Sequence, residues 1–174
     1  MKRSMIVLVC AALCCAVLAG CGGSGDSSKA ADTAETAGTA PGSKYTLLFK
    51  ETEVAVNGEM EPLAEKLGEP TDYFESESCA FQGLDKVYTY GSVIIRTYPK
   101  DGKDYVLSVE LKDDAVTTRE GVYIGQSRDD VTAAYGEPGQ ETGSALKYID
   151  GDCTLTFILT DGAVTDITYT SDAL

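Results

Sequence analysis

The chain contains no histidine and no tryptophan. Without histidine it lacks the commonest general base, the Ser-His-Asp and Cys-His arrangements, and the usual zinc sites. Cations are scarce: 14 lysines and arginines stand against 28 aspartates and glutamates, for a formal net charge of −14. Such a field repels nucleic acid and anionic headgroups and favours cationic partners, so nucleic-acid binding is excluded. Long apolar runs are also missing. Met5 to Ala19 is a stretch of 15 residues, short of the roughly 20 that a membrane-spanning helix needs. The alternating ligands and closing glutamate of an EF-hand are absent, although Asp101-Gly102, Asp113-Asp114 and Asp150-Gly151-Asp152 place carboxylates in turns. Asp-Gly is what a hairpin turn requires on backbone grounds alone, so neither a metal site nor a cofactor is expected. Carboxylate pairs are too abundant to mark a site, and Cys79 and Cys153 have no obvious activating partner. Enzyme activity is therefore not expected.

What is present begins with an address. Lys2 and Arg3 precede the apolar run, and small residues surround Cys21, the layout of a secretory signal over residues 1–20. Leu18-Ala19-Gly20-Cys21 resembles the lipobox of bacterial lipoproteins, which implies that the Cys21 thiol carries a diacylglyceryl group and becomes the first residue after cleavage. One acyl chain holds a protein only marginally, at about 0.8 kcal/mol per CH₂, whereas two or more palmitate-class chains anchor it stably. Cys21 is thus read as a tether, with the protein on the extracytoplasmic face of the cell membrane. Loss of residues 1–20 removes two cations and no acid, taking the net charge from −14 to −16.

Residues 22–44 are almost wholly Gly, Ser, Ala, Thr and charge. They cannot bury enough surface to offset chain entropy, so residues 21–44 are expected to form a lipidated cysteine followed by a disordered linker of roughly 25–30 Å span. The folded domain covers 45–174. KYTLLFK (44–50) and TEVAV (52–56) have the form of a hairpin, and Met60, Leu63, Ala64 and Leu67 stand at helical spacing before Gly68. Strands follow at VYTY (87–90), SVIIRTY (92–98) and DYVLSVELK (104–112). In the last, Tyr105, Leu107, Val109 and Leu111 alternate with Val106, Ser108, Glu110 and Lys112, which predicts one core face and one wet face.

The pattern then starts again. Ser127 and Asp130 form a capping box ahead of Val131, Ala134 and Tyr135, and LGEP at 67–70 returns as YGEP at 135–138, an offset of 68 residues. ALKYI (145–149), CTLTFILT (153–160) and AVTDITYT (163–170) are the next strands. The expected fold class is α+β: two tandem helix-plus-three-strand repeats, about 45–118 and 119–172, sharing one antiparallel sheet with both helices packed on one face. The opposite face would be open to a ligand.

The strand entering Ile124-Gly125, the helix ending in Gly136-Glu137-Pro138 and the closing DGAVTDITY resemble the tandem repeat of the β-lactamase-inhibitor-protein (BLIP-like) fold, shared with small outer-membrane-assembly lipoproteins of the SmpA/OmlA type. SCAFQGLDKVYTY and GVYIGQSRDDVTAAYGEP are also similar to segments of uncharacterised surface lipoproteins of Gram-positive gut anaerobes. The resemblance covers 45–170 and implies a sheet face and loops that grip a protein. No inhibitory residue matches individually. Ten tyrosines against four phenylalanines stand out, and Tyr88, Tyr90, Arg96 and Tyr98 fall on neighbouring strands, as side chains that anchor interfaces. The same rings can equally fill a core, and the facing of Tyr88 and Tyr90 is open. Cys79 and Cys153 can form a disulfide outside the cytoplasm, or each can be a small buried residue on a strand. The leading functional expectation is a binding module for another envelope or secreted protein, and the alternative is a carbohydrate- or peptidoglycan-binding module using the tyrosines as stacking platforms.

Overall fold

A computed structural model describes residues 43–172. The signal, Cys21 and the linker up to residue 42 lie outside the described residues. In chain order the elements are β1 (Leu47–Phe49), β2 (Thr52–Val54), α1 (Met60–Leu67), β3 (Asp72–Glu77), β4 (Leu84–Tyr90), β5 (Val93–Lys100), β6 (Lys103–Leu111), α2 (Arg128–Tyr135), β7 (Gln140–Thr142), β8 (Ala145–Asp150), β9 (Cys153–Thr160) and β10 (Ala163–Ser171). β1 and β2 pair with each other, and the remaining eight strands form one antiparallel sheet in the order β3-β4-β5-β6-β10-β9-β8-β7.

This overturns the expected α+β architecture of helix-plus-three-strand repeats. The molecule is mostly β, with an eight-stranded sheet and a two-stranded one against two helices of eight residues each. The discrepancy arises at the sheet's edges. All of β3 (DYFESE) and all of β7 (QET) are exposed, so neither carries the period-2 hydrophobic signal from which strands are read.

Two-residue turns set the register of the hairpins. Asp101-Gly102 and Asp161-Gly162 both sit at positive φ and close β5–β6 and β9–β10, the backbone demand of a type I′ turn. The β1–β2 turn uses Lys50 and Glu51 at positive φ instead. It aims Lys50 Nζ at the α1 C-terminus, where the amine donates to the Leu67 carbonyl at 3.1 Å and lies 5.3 Å from the Tyr90 ring, a favourable place for a cation. α2 opens on the expected capping box: Ser127 N–H donates to Asp130 at 2.9 Å and Asp130 N–H donates to Ser127 Oγ at 3.3 Å. The Ser127 hydroxyl, which donates to Asp130 Oδ2 at 2.7 Å, and after it the Ser127 N–H hold the Asp130 carboxyl below its usual range.

One core lies between the sheet and the layer made by the β1–β2 hairpin and the helices. Leu47, Val54, Met60, Leu63, Leu67 and Val131 meet Ile95, Val109, Leu155, Phe157 and Ile167 from one face of the sheet. At about 25 cal/mol per Å² of apolar surface, each such side chain contributes roughly 1.5–3 kcal/mol on burial. The expected alternation of β6 holds at Val109 and Leu111 but fails at Val106, which is fully buried. Arg96 pairs with Ser108 while Thr97 pairs with Val106, so Leu107 is an extra residue in a β-bulge and every side chain before it changes face.

Candidate functional site

Register assigns each side chain to a face. Tyr73, Tyr88, Ile95, Val109, Tyr169, Leu155 and Tyr148 are successive cross-strand partners, as are Tyr90, Val93, Leu111, Ile167, Phe157 and Leu146. These rows carry the core. The alternate rows form the opposite face, with Phe74, Val87, Arg96, Ser108, Thr170, Thr154 and Ile149 in one, and Asp72, Thr89, Ile94, Glu110, Thr168, Thr156 and Lys147 in the next. No helix or strand among the described residues is paired over this face. Phe74 is 61% exposed and Ile149 53% exposed at its two ends, with half-buried aliphatics and threonines between. Antiparallel sheets commonly leave one face wet, but wet faces are usually polar.

The four residues singled out from sequence are not brought together. Tyr88 and Tyr90 lie on the core face, and Arg96 lies on the open one. Tyr90 is buried, and its hydroxyl has no hydrogen-bond partner among the described residues. Tyr98 falls on the Arg96 side of β5 by alternation, yet it is also buried. Phe81 and Tyr105 pack against it at ring separations of 5.6 and 5.8 Å, and its hydroxyl donates to Asn57 Oδ1 at 3.2 Å. The loop carrying Phe81 is pinned at Gly83, where a Cβ would come within 2.8 Å of Pro99. Burial therefore accounts for Tyr90 and Tyr98 as structural rings, and the burial raises both phenol pKa values. Arg96 remains on the open face, where Nη1 approaches Glu110 at 3.4 Å, a surface pair worth at most about 1 kcal/mol.

Tyr88 is half-buried and borders a hollow of about 350 Å³ lined also by Glu59, Glu61, Lys86, Gly102, Lys103 and Asp104. Each cation there is matched: Lys86 to Asp104 at 2.6 Å and Lys103 to Glu59 at 2.7 Å. The hydrogen bond to Asp104 raises the Lys86 pKa, and an amine held protonated neither attacks a carbonyl nor accepts a proton. A wider groove of about 470 Å³ runs between the β1–β2 hairpin and α1, past Leu48, Ala55, Pro62, Leu63, Lys66 and Arg119. Sequence reasoning missed it, because its walls come from segments 66 residues apart, joined by Arg119 on Glu53 at 3.3 Å.

The two cysteines are free thiols, and the expected disulfide alternative is corrected: Cys79 is exposed and Cys153 is buried. Cys79 follows β3 at one sheet edge, and Cys153 opens β9, five strands away. At about 4.8 Å per strand that is roughly 24 Å, against the Cα separation of at most about 7 Å that a disulfide tolerates. Among the described residues no cluster of three metal-ligating side chains occurs, and no helix is long and apolar enough to cross a membrane. No protein-family model, curated protein or solved structure matches the chain, so the resemblance to the β-lactamase-inhibitor and SmpA/OmlA-type lipoproteins is not identified by any of the three comparisons.

Proposed function

We propose that this is a lipid-anchored, extracytoplasmic binding module, tethered through Cys21, that recognises another envelope or secreted protein through the open face of its sheet and the adjoining loops. It acts by surface complementarity, without a cofactor and without catalysis. The supporting observation is the open face itself: eight strands wide, with Phe74 and Ile149 exposed at its margins and Ile94, Val87 and Ile158 half-buried between. Apolar and polar side chains mixed in this proportion match the composition of non-obligate interfaces, which are about as apolar as the rest of a protein surface. The strongly acidic chain favours a partner with a cationic rim. Of the three tyrosines on which the peptidoglycan alternative rests, Tyr90 and Tyr98 are buried and only Tyr88 is partly open, which favours the protein-binding reading.

The test uses the full chain in native envelopes, with a photoreactive residue at Ile94 or Thr156 on the open face and at Leu48 in the groove as the control. A discrete protein adduct from the first two positions and none from the third is the expected result. Adducts from Leu48 alone, or retention on cell-wall glycan, would refute the reading. Separately, Cys21→Ser is expected to leave an unprocessed or soluble form. A processed variant that stayed on the membrane would remove the anchor.

A further inference from the structure

The two edges of the large sheet are built differently. β7 is three residues long, which is one of the usual ways of blunting an edge. β3 is six residues long and fully exposed, and it pairs with β4 in unbroken register from Asp72 to Glu77. It contains no proline, lysine or bulge, and what guards it against indiscriminate pairing is its three carboxylates, which leave it open to a strand of opposite charge. Alternate N–H and C=O groups along its free side therefore point away from β4, and the backbone offers a template for one more strand. Tyr73 and Phe74, 44% and 61% exposed, stand on opposite faces of that template.

We propose that the β3 edge accepts an extended, basic peptide segment of a partner protein as a ninth strand. The inference rests on the reading of the molecule as a protein-binding module and names the segment it takes. Three of the six residues in β3 are carboxylates: Asp72 on the open-face side, and Glu75 and Glu77 on the other. Across the sheet Glu75 faces Lys86, but that amine is already held by Asp104 at 2.6 Å, and Glu75 accepts a hydrogen bond from the Tyr73 hydroxyl. The edge thus keeps its acidic character. A second copy is disfavoured as the occupant. Symmetric antiparallel pairing of two β3 strands brings three carboxylates from each copy to one edge, with Glu75 directly against its mate when the pairing is centred there, and such like-charge pairs are destabilising. A cationic strand reverses every one of those contacts. In antiparallel register it carries Lys or Arg opposite Glu77, Glu75 and Asp72 and an aliphatic residue opposite Phe74, with β-branched residues at the other two positions. The recognised core is then Lys-Thr-Lys-Val-Thr-Lys.

The probe is a labelled, end-capped peptide with that core, titrated into the full chain by fluorescence anisotropy, with site-resolved hydrogen exchange as a second readout. Saturable binding that adds protection to the β3 amides is expected. Glu75→Lys with Glu77→Lys, both at exposed positions, is expected to weaken binding by about tenfold or more and to gain binding of the Glu-Thr-Glu-Val-Thr-Lys counterpart, which keeps its lysine opposite Asp72. That compensation separates an edge-strand contact from general charge attraction. No binding, binding unaffected by the double reversal, or binding that leaves the β3 amides without added protection would overturn the edge assignment. The last result would leave the open-face reading standing, whereas compensation at β3 together with no adduct from Ile94 or Thr156 would do the reverse. Protection of β3 that rises with protein concentration in the absence of peptide would make the occupant a second copy and overturn the proposal.

Discussion

Cys153 offers a sharp test of how the layers fit together. Its side chain is fully buried, and its Sγ donates to the Tyr45 carbonyl at 3.7 Å, so the thiol touches the segment that leads into the β1–β2 hairpin. Burial pushes its pKa up to about 11. At pH 8 the thiolate fraction is then about 0.1%, against about a quarter for a thiol at the ordinary value near 8.5. Since only the thiolate attacks an alkylating reagent, ionisation alone slows the reaction roughly 200-fold. Steric exclusion by the hairpin slows it further. Exposed Cys79 has no such barrier. The assay is iodoacetamide labelling of the mature chain at pH 8, quenched over time and read cysteine by cysteine by mass spectrometry. Cys79 should label more than about 100-fold faster than Cys153 in native buffer, and the rates should converge in denaturant. Equal native rates would show that the hairpin does not cover Cys153. Failure of both to react until a reductant is added would show a disulfide and refute the sheet order itself.

The same thiol makes stability fall with alkalinity. Its pKa is higher folded than unfolded, so its contribution is complete below about pH 8.5 and is lost as pH rises through about 11. That is about 2 kcal/mol at pH 10, and a Cys153→Ala variant should show a shallower decline across that window in urea melts. Tyr90→Ala should cost about 3–5 kcal/mol as a large-to-small core change, whereas Tyr90→Phe should be neutral or stabilising by up to about 1 kcal/mol, because it removes a buried hydroxyl with no partner. Chemical denaturation decides both, and a Tyr90→Ala variant of native stability would take that ring out of the core. Ser127→Ala should destabilise by about 1 kcal/mol through loss of the α2 capping box, read as a lower denaturation midpoint at unchanged slope.

Local chemistry made several elements legible. Met60, Leu63 and Leu67 are the buried face of α1, as their spacing requires, and Ser127 and Asp130 make the capping box that their types and separation announce. Cys153, Leu155 and Phe157 point inward as alternation demands. The β3 and β7 strands are not legible because they are exposed edges without hydrophobic alternation, and alternation gives the wrong faces for the first part of β6 because one bulged residue, Leu107, inverts the period-2 pattern. The site was less legible still. Tyr90 and Arg96 look alike as interface residues on adjacent strands, yet register sends them to opposite faces. Tyr98 lies beneath Phe81 only because Gly83 lets the 78–83 loop close onto Pro99.

By itself the amino-acid order determined the acidic charge, the turns at Asp101-Gly102 and Asp161-Gly162, and the two helices with their stops. Each of these is decided within about four residues, by backbone dihedrals or a side-chain cap. The joining of β6 to β10, the free edge at β3, and the choice of which tyrosines are hidden were decided only in three dimensions. Those depend on which distant strands share hydrogen bonds, and a strand carries no local mark of its neighbour.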